Sequence, residues 1–313
     1  MPPWVVVGPG DDAAVLQPQR GAADVLTTDA LVEGIHFDFG FMAPQAVGHR
    51  ALAVNLSDLA AMGAEPRAAL LSLLLPPALD VVVFDGIVDG VLALAATHRV
   101  TLVGGNITQT PGPLAIDVTA TGSVHPRRVL RRSGARPGDE VYVTGTLGDA
   151  AAGLRCLQAT GGGAAEYASC VERYLRPEPR VRAGLVLGRN RVASSCMDIS
   201  YGLADAVRQV AAASGVGITI DGPSIPIGDG ARRWHEASGH DAVAAALTGG
   251  DDYELLFTVR PAHRGRLRGA LKTPRMVPVT RIGTVTKETD LLVRHAGGVT
   301  ELPRGYEHFR SGA

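Results

Sequence analysis

Apolar and polar residues follow one another along the chain in patterns that predict strands and helices. Residues 5–7 are three valines followed by Gly-Pro-Gly, which predicts a short buried strand that ends in a turn. Between residues 47 and 62, apolar side chains recur at helical spacing, and Gly63 follows where such a helix would end. Residues 114–124 alternate apolar and polar side chains, which indicates a strand with one buried face.

The same reasoning extends to both halves of the chain. It predicts strands at 24–28, 68–75, 100–103, 141–144, 218–220 and 253–259, and helices at 84–97, 149–158, near 183 and at 203–213. This alternation favours an α/β or α+β class with two domains. The segment RRSGARPGD at residues 131–139 is polar and rich in turn residues, so we expect one domain over residues 1–133 and another over residues 134–313.

Composition narrows the possible partners and locations. The 30 basic and 31 acidic residues give a formal net charge of −1, which is unlike the basic surface of a nucleic-acid-binding protein. Cys156, Cys170 and Cys196 lack metal-site spacing, so we expect buried or partly buried free thiols in a reducing cytosol. The start of the chain lacks the pattern of a signal peptide, and the most apolar window, residues 68–79, is too short to span a bilayer. These features predict a cytoplasmic protein that binds neither nucleic acid nor membrane.

Aspartates recur inside apolar runs or directly after them. They are Asp11-Asp12, Asp29, Asp58, Asp198 and Asp251-Asp252. A carboxylate in apolar surroundings needs a partner, and carboxylates without histidine or cysteine favour Mg²⁺, which commonly bridges protein oxygens and substrate phosphates. Any one Gly-Asp pair is more often an ordinary turn. The hypothesis of a magnesium and phosphate site therefore depends on the combination.

Two glycine segments are candidate phosphate loops. Residues 145–148, Gly-Thr-Leu-Gly, join a predicted strand to a predicted helix, where exposed amides attract anions, although a tight turn explains the segment equally well. Residues 104–106, Gly-Gly-Asn, end another predicted strand in a similar way. The chain has no P-loop motif and no protein-kinase signature. By default, His36 beside an aromatic residue and Tyr306 near the C-terminus are packing residues.

Several segments together resemble the thiamine-monophosphate kinase family. They are GDDAAVL (10–16), TTDALVEGIHF (27–37), ALAVNLSDLAAMGAEP (51–66), GGNIT (104–108), RRSGARPGDEVYVTGTLGDAAAGL (131–154), MDIS (197–200), GGDDYELLF (249–257) and GYEHF (305–309). They occur in the family's order over nearly the whole chain. The wider superfamily includes aminoimidazole ribonucleotide synthetase, selenophosphate synthetase and a hydrogenase maturation protein, all of which bind ATP.

The resemblance implies a fold, an activity and an assembly. The fold would have an N-terminal α/β domain and a C-terminal α+β domain, with the N-terminal strands of two subunits forming a barrel-like core of a homodimer. The implied activity is phosphorylation of thiamine monophosphate to thiamine diphosphate, with ATP as co-substrate and Mg²⁺ as cofactor. We expect direct in-line transfer without a phospho-enzyme, since phosphoryl transfer mainly requires positioning and charge neutralisation.

Site residues are carried over from the resemblance position by position. The metal ions would be served by Asp11, Thr27, Thr28, Asp29, Asp58, Asn106 and Asp198. ATP would be bound by Gly105, Asn106, Arg132 and Ser200, and thiamine monophosphate would be faced by His36, Asp251 and Tyr306. No residue is expected to act as a covalent nucleophile.

The chain departs from the family pattern at residue 201. The expected pattern after Met197 is Asp-x-Ser-Asp-Gly, whereas here it is Asp198-Ile-Ser-Tyr201-Gly, and a phenol is neutral near pH 7. The chain also starts almost at the first strand, where the family usually has a preceding helical segment. Two alternatives therefore stay open beside an active kinase: a catalytically impaired nucleotide-binding relative, and a superfamily member acting on another phosphate or a carboxylate.

Overall fold

The N-terminal part consists of a four-stranded sheet with two long helices on one face and a short strand pair beside it. The computed structural model describes residues 1–161 and 165–305. The N-terminal elements are β1 (Val5–Val7), β2 (Val15–Leu16), β3 (Ala23–Val32), α1 (Pro44–Ala61), β4 (Glu65–Leu75), α2 (Val81–His98), β5 (Thr101–Gln109) and β6 (Ala115–Val124).

The C-terminal part is built on a seven-stranded sheet flanked by helices. Its elements are β7 (Glu140–Thr144), α3 (Asp149–Thr160), α4 (Ala168–Leu175), α5 (Val181–Arg189), β8 (Ala193–Ile199), α6 (Leu203–Ser214), β9 (Gly217–Asp221), α7 (Asp229–Ala237), α8 (Ala242–Thr248), β10 (Glu254–Val259), α9 (Arg264–Leu271), β11 (Val279–Thr286), β12 (Leu291–His295) and β13 (Gly298–Glu301). The strand order is β13-β12-β9-β11-β7-β10-β8, and among these described strands only β12 and β9 pair in parallel.

The N-terminal sheet has two unlike faces. Its order is β3-β6-β4-β5, with antiparallel pairs except between β4 and β5, which α2 connects as a crossover helix. Alternate residues of each strand point to opposite faces, so Ile116, Val118 and Ala120 of β6 are buried toward the helices, while the residues between them are only partly buried on the other face. The covered face holds the core of this domain, and the open face is available for a ligand or a partner.

Helices α1 and α2 pack with their backbones in contact. A Cβ atom on Gly48 of α1 would lie 1.8 Å from the carbonyl oxygen of Ile87, and one on Gly90 of α2 would lie 2.0 Å from that of Gln45. Only glycine permits so close an approach. Helix α1 ends as predicted, with Gly63 at φ 67° directly beyond its C-cap. The contact fixes α1, which carries several side chains of the site described below.

Two predicted strand ends are wrong. Asp29 was expected to end its strand, but β3 continues to Val32, because ladder pairing with β6 extends over the whole segment and a polar side chain at every second position does not interrupt a strand. The glycines 104–105 were expected to end the next strand, but β5 continues to Gln109. A Cβ on Gly105 would lie 1.9 Å from the carbonyl oxygen of Leu71, so the glycine permits close strand pairing.

The most apolar segment is also corrected. Residues 68–79 were taken as the most apolar window, whereas among the described residues it is α2 that is long and apolar enough to cross a membrane by length and composition. Its exposed side carries Asp85 and Asp89, and its glycines contact α1. These contacts make α2 a packing helix of the N-terminal domain.

The close contact between α1 and α2 generates a stability prediction. Gly90→Ala places a methyl group where the Gln45 carbonyl oxygen lies, so the helices must separate. We expect the free energy of unfolding to fall by about 1–3 kcal/mol, as for other overpacked cores. Denaturant unfolding followed by circular dichroism measures this change.

Gly269→Ala provides the matched control. Gly269 lies in α9, and a Cβ there would meet nothing within 4 Å. In a helix, alanine is favoured over glycine by roughly 0.5–1 kcal/mol, so this variant should be unchanged or slightly stabilised. Equal effects of the two substitutions would contradict the proposed steric origin.

Candidate active site

A cleft of 780 Å³ lies where the N-terminal and C-terminal parts meet. Its polar lining side chains come from both parts of the chain: Asp29, His36, Asp58, Arg132, Asp198, Ser200, Tyr201, Gln209, Thr248, Asp251 and Tyr253. A smaller cavity of 230 Å³ also reaches Asp58, Arg132 and Asp198. Most of the residues that the sequence assigned to metal, ATP and substrate are thus brought to one place.

Helix α1 supplies or orients the central carboxylates. Asp58 on α1 accepts a hydrogen bond from the hydroxyl of Thr27 on β3. Its neighbour Ser57 donates 2.7 Å to the carboxylate of Asp198, which lies buried on β8 of the C-terminal part. Two adjacent residues of α1 therefore bring the Asp58 carboxylate of the N-terminal domain close to the Asp198 carboxylate of the C-terminal domain.

These carboxylates are crowded and poorly hydrated. Burial, with the charges of Asp58 and Asp117, raises the pKa of Asp29 to about 6. Burial, with the charges of Asp58 and Asp29, raises the pKa of Asp198 to about 7, and burial also raises the pKa of Asp58. The guanidinium of Arg132 opposes the shifts of Asp58 and Asp198 without cancelling them. The cleft therefore has an excess of negative charge that favours a cation.

The chemistry of the donors fits magnesium held together with a phosphate. Over residues 1–161 and 165–305, no group of three or more His, Cys, Asp or Glu side chains is arranged to hold a metal ion by itself. Magnesium does not require such a cage, because it commonly binds one or two carboxylates and completes its octahedron with water and substrate phosphate oxygens. Clustered carboxylate oxygens with an excess of negative charge meet that requirement.

A second polar region lies on the open face of the N-terminal sheet. A groove of 590 Å³ there is lined by residues that include Asp11, Gly105 and Asp117. Thr28 donates 3.2 Å to Asp117, whereas its neighbour Thr27 faces α1 on the other side of the sheet.

Asn106 shares the open face, because it pairs with Ser72, which lines the groove. The expected metal residues are therefore divided between the two faces: Thr27, Asp29, Asp58 and Asp198 lie on the cleft side, and Asp11, Thr28 and Asn106 on the groove side.

Asp251 lies at the cleft in a strained backbone conformation. Its φ is 70°, in the left-handed region that non-glycine residues seldom adopt. Arg50 of α1, only 2% exposed, forms an ion pair of 2.6 Å with its carboxylate. The Arg50 guanidinium also donates 2.8 Å to the Tyr174 carbonyl and lies 4.7 Å from the centre of the Tyr174 ring. Arg50 thus fixes Asp251 at the cleft and joins α1 to the C-terminal part.

The candidate phosphate loop at residues 145–148 is already occupied by a side chain. The buried carboxylate of Asp252 accepts 2.7 Å from the Gly148 amide and 3.3 Å from the Ala150 amide. Since these are the amides at the start of α3, the hypothesis of a phosphate site there is wrong. The tight-turn alternative is the correct one.

The next acidic residue of the same segment, Glu254, is also structural. It is fully buried and accepts hydrogen bonds from Arg180, Arg173 and Thr144 at 2.6–2.7 Å. Of the three acidic residues in the segment GGDDYELLF, therefore, only Asp251 lines the cleft, while Asp252 and Glu254 hold the fold together.

The remaining predicted residues have the following places. His36 lines the cleft, and its Nδ1 accepts 3.1 Å from the Val32 amide; Ser200 lines the cleft as well. Tyr306 lies outside the described residues. Cys156, Cys170 and Cys196 are buried and free, which confirms the expectation of buried or partly buried free thiols.

Sequence reasoning missed three residues of these regions. Arg50 had a signal, since a basic residue inside an apolar helical stretch needs a partner. Asp117 had a weaker one, as a polar position of an alternating strand. Gln209 had none, because its role depends on the tertiary contact with Arg132.

Two family models match the chain. The N-terminal domain of AIR synthase related proteins matches residues 10–124, and the C-terminal domain of the same proteins matches residues 136–295. The maturation protein HypE of E. coli has the same fold, with a TM-score of 0.77 at 22% identity over 96% of this chain and 93% of its own. These matches confirm the predicted two-domain α/β and α+β fold.

More similar proteins are thiamine-monophosphate kinases. That of Salmonella typhimurium is 40% identical, covering 97% of this chain and 92% of its own, and that of Bacillus subtilis is 34% identical, covering 98% and 94%. The crystal structure of the Stenotrophomonas maltophilia enzyme has a TM-score of 0.85 and 40% identity, covering 93% of this chain and 91% of its own.

A further solved structure, AaThiL complexed with AMPPCP and TMP, has a TM-score of 0.83 and 33% identity, covering 93% of this chain and 89% of its own. Identity at this level over nearly the whole length confirms the resemblance in the sequence, and the chain belongs to the thiamine-monophosphate kinase family.

Proposed function

We propose that this chain transfers the γ-phosphoryl group of ATP to thiamine monophosphate and forms thiamine diphosphate. The observation that carries the proposal is the cleft between the domains, where Asp29, Asp58 and Asp198 crowd together beside Arg132. The substrates are inferred from the relatives, because they are thiamine-monophosphate kinases and one of them has been solved with an ATP analogue and TMP together.

The chemistry explains why such a cleft is useful. Donor and acceptor both carry phosphate anions, so transfer requires that their mutual repulsion be reduced and that they be held in line. Magnesium, when bound, supplies positive charge to the phosphate oxygens of both substrates. The residues that would hold it are Asp29, Asp58 and Asp198 at the cleft, with Thr27 as hydrogen-bond donor to Asp58, and Asp11, Thr28 and Asn106 at the groove.

The chain's own side chains orient the substrates. We assign Arg132 and Ser200, which line the cleft, to the binding of ATP, and we assign Gly105 to the same role in the groove on the other face of the N-terminal sheet. His36 and Asp251 face the part of the cleft that we assign to thiamine monophosphate. Arg50 keeps the Asp251 carboxylate in place during turnover, because a buried ion pair restricts its movement.

Direct transfer agrees with the environment of the cysteines. Burial, together with the Asp149 charge, raises the pKa of the Cys170 thiol to about 12, and burial raises the pKa of the Cys196 thiol as well. A protonated, buried thiol is a poor nucleophile. We therefore infer that neither Cys170 nor Cys196 carries the phosphoryl group. We also assign the protein to the cytoplasm, because its three cysteines are free thiols.

The proposal is tested by measuring thiamine diphosphate formation from ATP, thiamine monophosphate and Mg²⁺. We expect Asp58→Asn to lower kcat by about 100-fold or more, by analogy with the loss of one electrostatic group at other active sites. The fold should remain, since an amide has the same shape and can still accept the Thr27 hydrogen bond.

Asp85→Asn is the control for that experiment. Asp85 is exposed on α2, away from the cleft, and its substitution should leave kcat unchanged. If the unmodified protein binds ATP and forms no thiamine diphosphate at saturating substrates, the alternative of an impaired nucleotide-binding relative replaces the kinase.

Tyr201 generates a prediction about magnesium. Its side chain lines the cleft where the family pattern has a carboxylate, and a phenol offers no negative charge near pH 7. We expect Tyr201→Asp to lower the Mg²⁺ concentration for half-maximal rate and to raise the rate at low Mg²⁺. Rates measured across a Mg²⁺ titration decide this; superimposable curves would assign Tyr201 to packing.

A homodimer is the assembly that we propose. The open face of the N-terminal sheet exposes Leu26 by 69% and Leu70 by 42%, and within the described part of the chain the ten-residue strand β3 pairs with β6 alone and leaves its other edge open. Proteins seldom leave such edges and apolar side chains uncovered. A second copy of the chain, with its strands continuing the sheet toward a barrel-like core, would cover both.

We expect a dimer mass by light scattering at micromolar concentration. Leu26→Glu should shift the mass toward the monomer, because it introduces a charge into the proposed contact. Glu33→Gln is a control near the end of β3 that leaves the apolar face intact. A monomer mass for the unmodified protein would refute the homodimer.

A further inference from the structure

Arg132 is the positively charged side chain that lines the cleft. Among the described residues that line the cleft it is the one lysine or arginine, and it also lines the smaller cavity beside Asp58 and Asp198. It lies in the turn-rich connection that follows β6, outside any helix or strand. Its side chain is exposed and long, so it needs a tether to stay in one orientation.

Gln209 supplies that tether. Nη1 of Arg132 donates 2.5 Å to Oε1 of Gln209, and Nε2 of Gln209 donates 2.6 Å to Oδ2 of Asp205. Gln209 and Asp205 lie four residues apart on α6, where side chains of one helical face meet. Because the Nε2 group of Gln209 donates to Asp205, the Oε1 atom of the same amide is directed at Arg132.

Helix α6 is a firm support for this arrangement. Its side toward the C-terminal sheet is buried through Val207 and Val210, and Arg208 donates 2.9 Å and 2.7 Å to the carbonyl oxygens of Leu302 and Pro303. Residues on both sides of Gln209 are therefore fixed. The orientation of the glutamine follows from the fold rather than from a local turn.

We propose that Gln209 is a positioning residue that holds the Arg132 guanidinium toward the phosphate-bearing end of the nucleotide. The proposal deepens the kinase assignment and rests on it for the identity of the nucleotide. None of the sequence motifs described above includes Gln209. Its action on the nucleotide is indirect, through Arg132.

A neutral amide suits this role better than a carboxylate. A carboxylate at position 209 would form an ion pair with Arg132 and neutralise the charge that a phosphate requires. It would also stand opposite Asp205 without a proton to donate. Glutamine orients the guanidinium through one oxygen and leaves its positive charge and its other N–H groups available to the ligand.

The test is a double-mutant cycle on nucleotide binding. Gln209→Ala should raise the KM for ATP by about three- to tenfold, the range expected for the loss of one orienting hydrogen bond, with kcat and the KM for thiamine monophosphate little changed. Gln209→Glu should raise the KM for ATP further. In an Arg132→Ala background, Gln209→Ala should have no additional effect, because its target is gone.

Direct titration with AMPPCP separates this proposal from the kinase assignment. If no thiamine diphosphate is formed by the unmodified protein, the kinase assignment fails while AMPPCP affinity still reports on Gln209. Gln158→Ala, an exposed glutamine of α3 outside the cleft, is the control for the loss of an amide, and thermal unfolding shows whether each variant is folded. Unchanged ATP and AMPPCP binding in Gln209→Ala, or an equal loss in both backgrounds, would overturn the proposal.

Discussion

The buried ion pair between Arg50 and Asp251 is the interaction on which the cleft depends. Arg50 is a charged group inside an apolar helix, and its burial is tolerable only because Asp251 and the Tyr174 carbonyl meet it from the C-terminal part. Ser57 and Asp58 lie two turns further along α1, on the same face, and reach Asp198 and the cleft. One helix face therefore sets the relative position of both domains and of their carboxylates.

The crowding of the carboxylates determines the electrostatics of the cleft. Burial raises the pKa values of Asp29, Asp58 and Asp198, and the charge of Asp58 raises those of Asp29 and Asp198 further, because little water is left to screen the repulsion. The fold keeps them together at a cost that a cation with bound phosphate can offset. Asp251 adds backbone strain at the same cleft, which the Arg50 pair and the surrounding packing sustain.

The N-terminal sheet separates the polar residues by a simple geometric rule. Thr27 and Thr28 are neighbours in sequence, yet they face α1 and the open groove respectively, because strand side chains alternate. Residues that are neighbours in one sequence motif therefore lie on opposite faces of the sheet. The groove with Asp11 and Asp117 lies on the face that the proposed second subunit would cover, so the proposed metal residues of the groove and the proposed assembly share one surface.

The sequence by itself determined the alternation of elements, the two-domain class and most of the cleft residues, because periodicity and local motifs record which side chains are buried or polar. It placed the end of α1 at Gly63 correctly, but it ended β3 too early at Asp29, since ladder pairing with a distant strand decides how far a strand extends. Only the tertiary structure showed that Asp252 caps α3, that Arg50 pairs with Asp251 and that Gln209 holds Arg132. Each of these contacts joins residues more than 70 positions apart, and local patterns carry no information about such pairs.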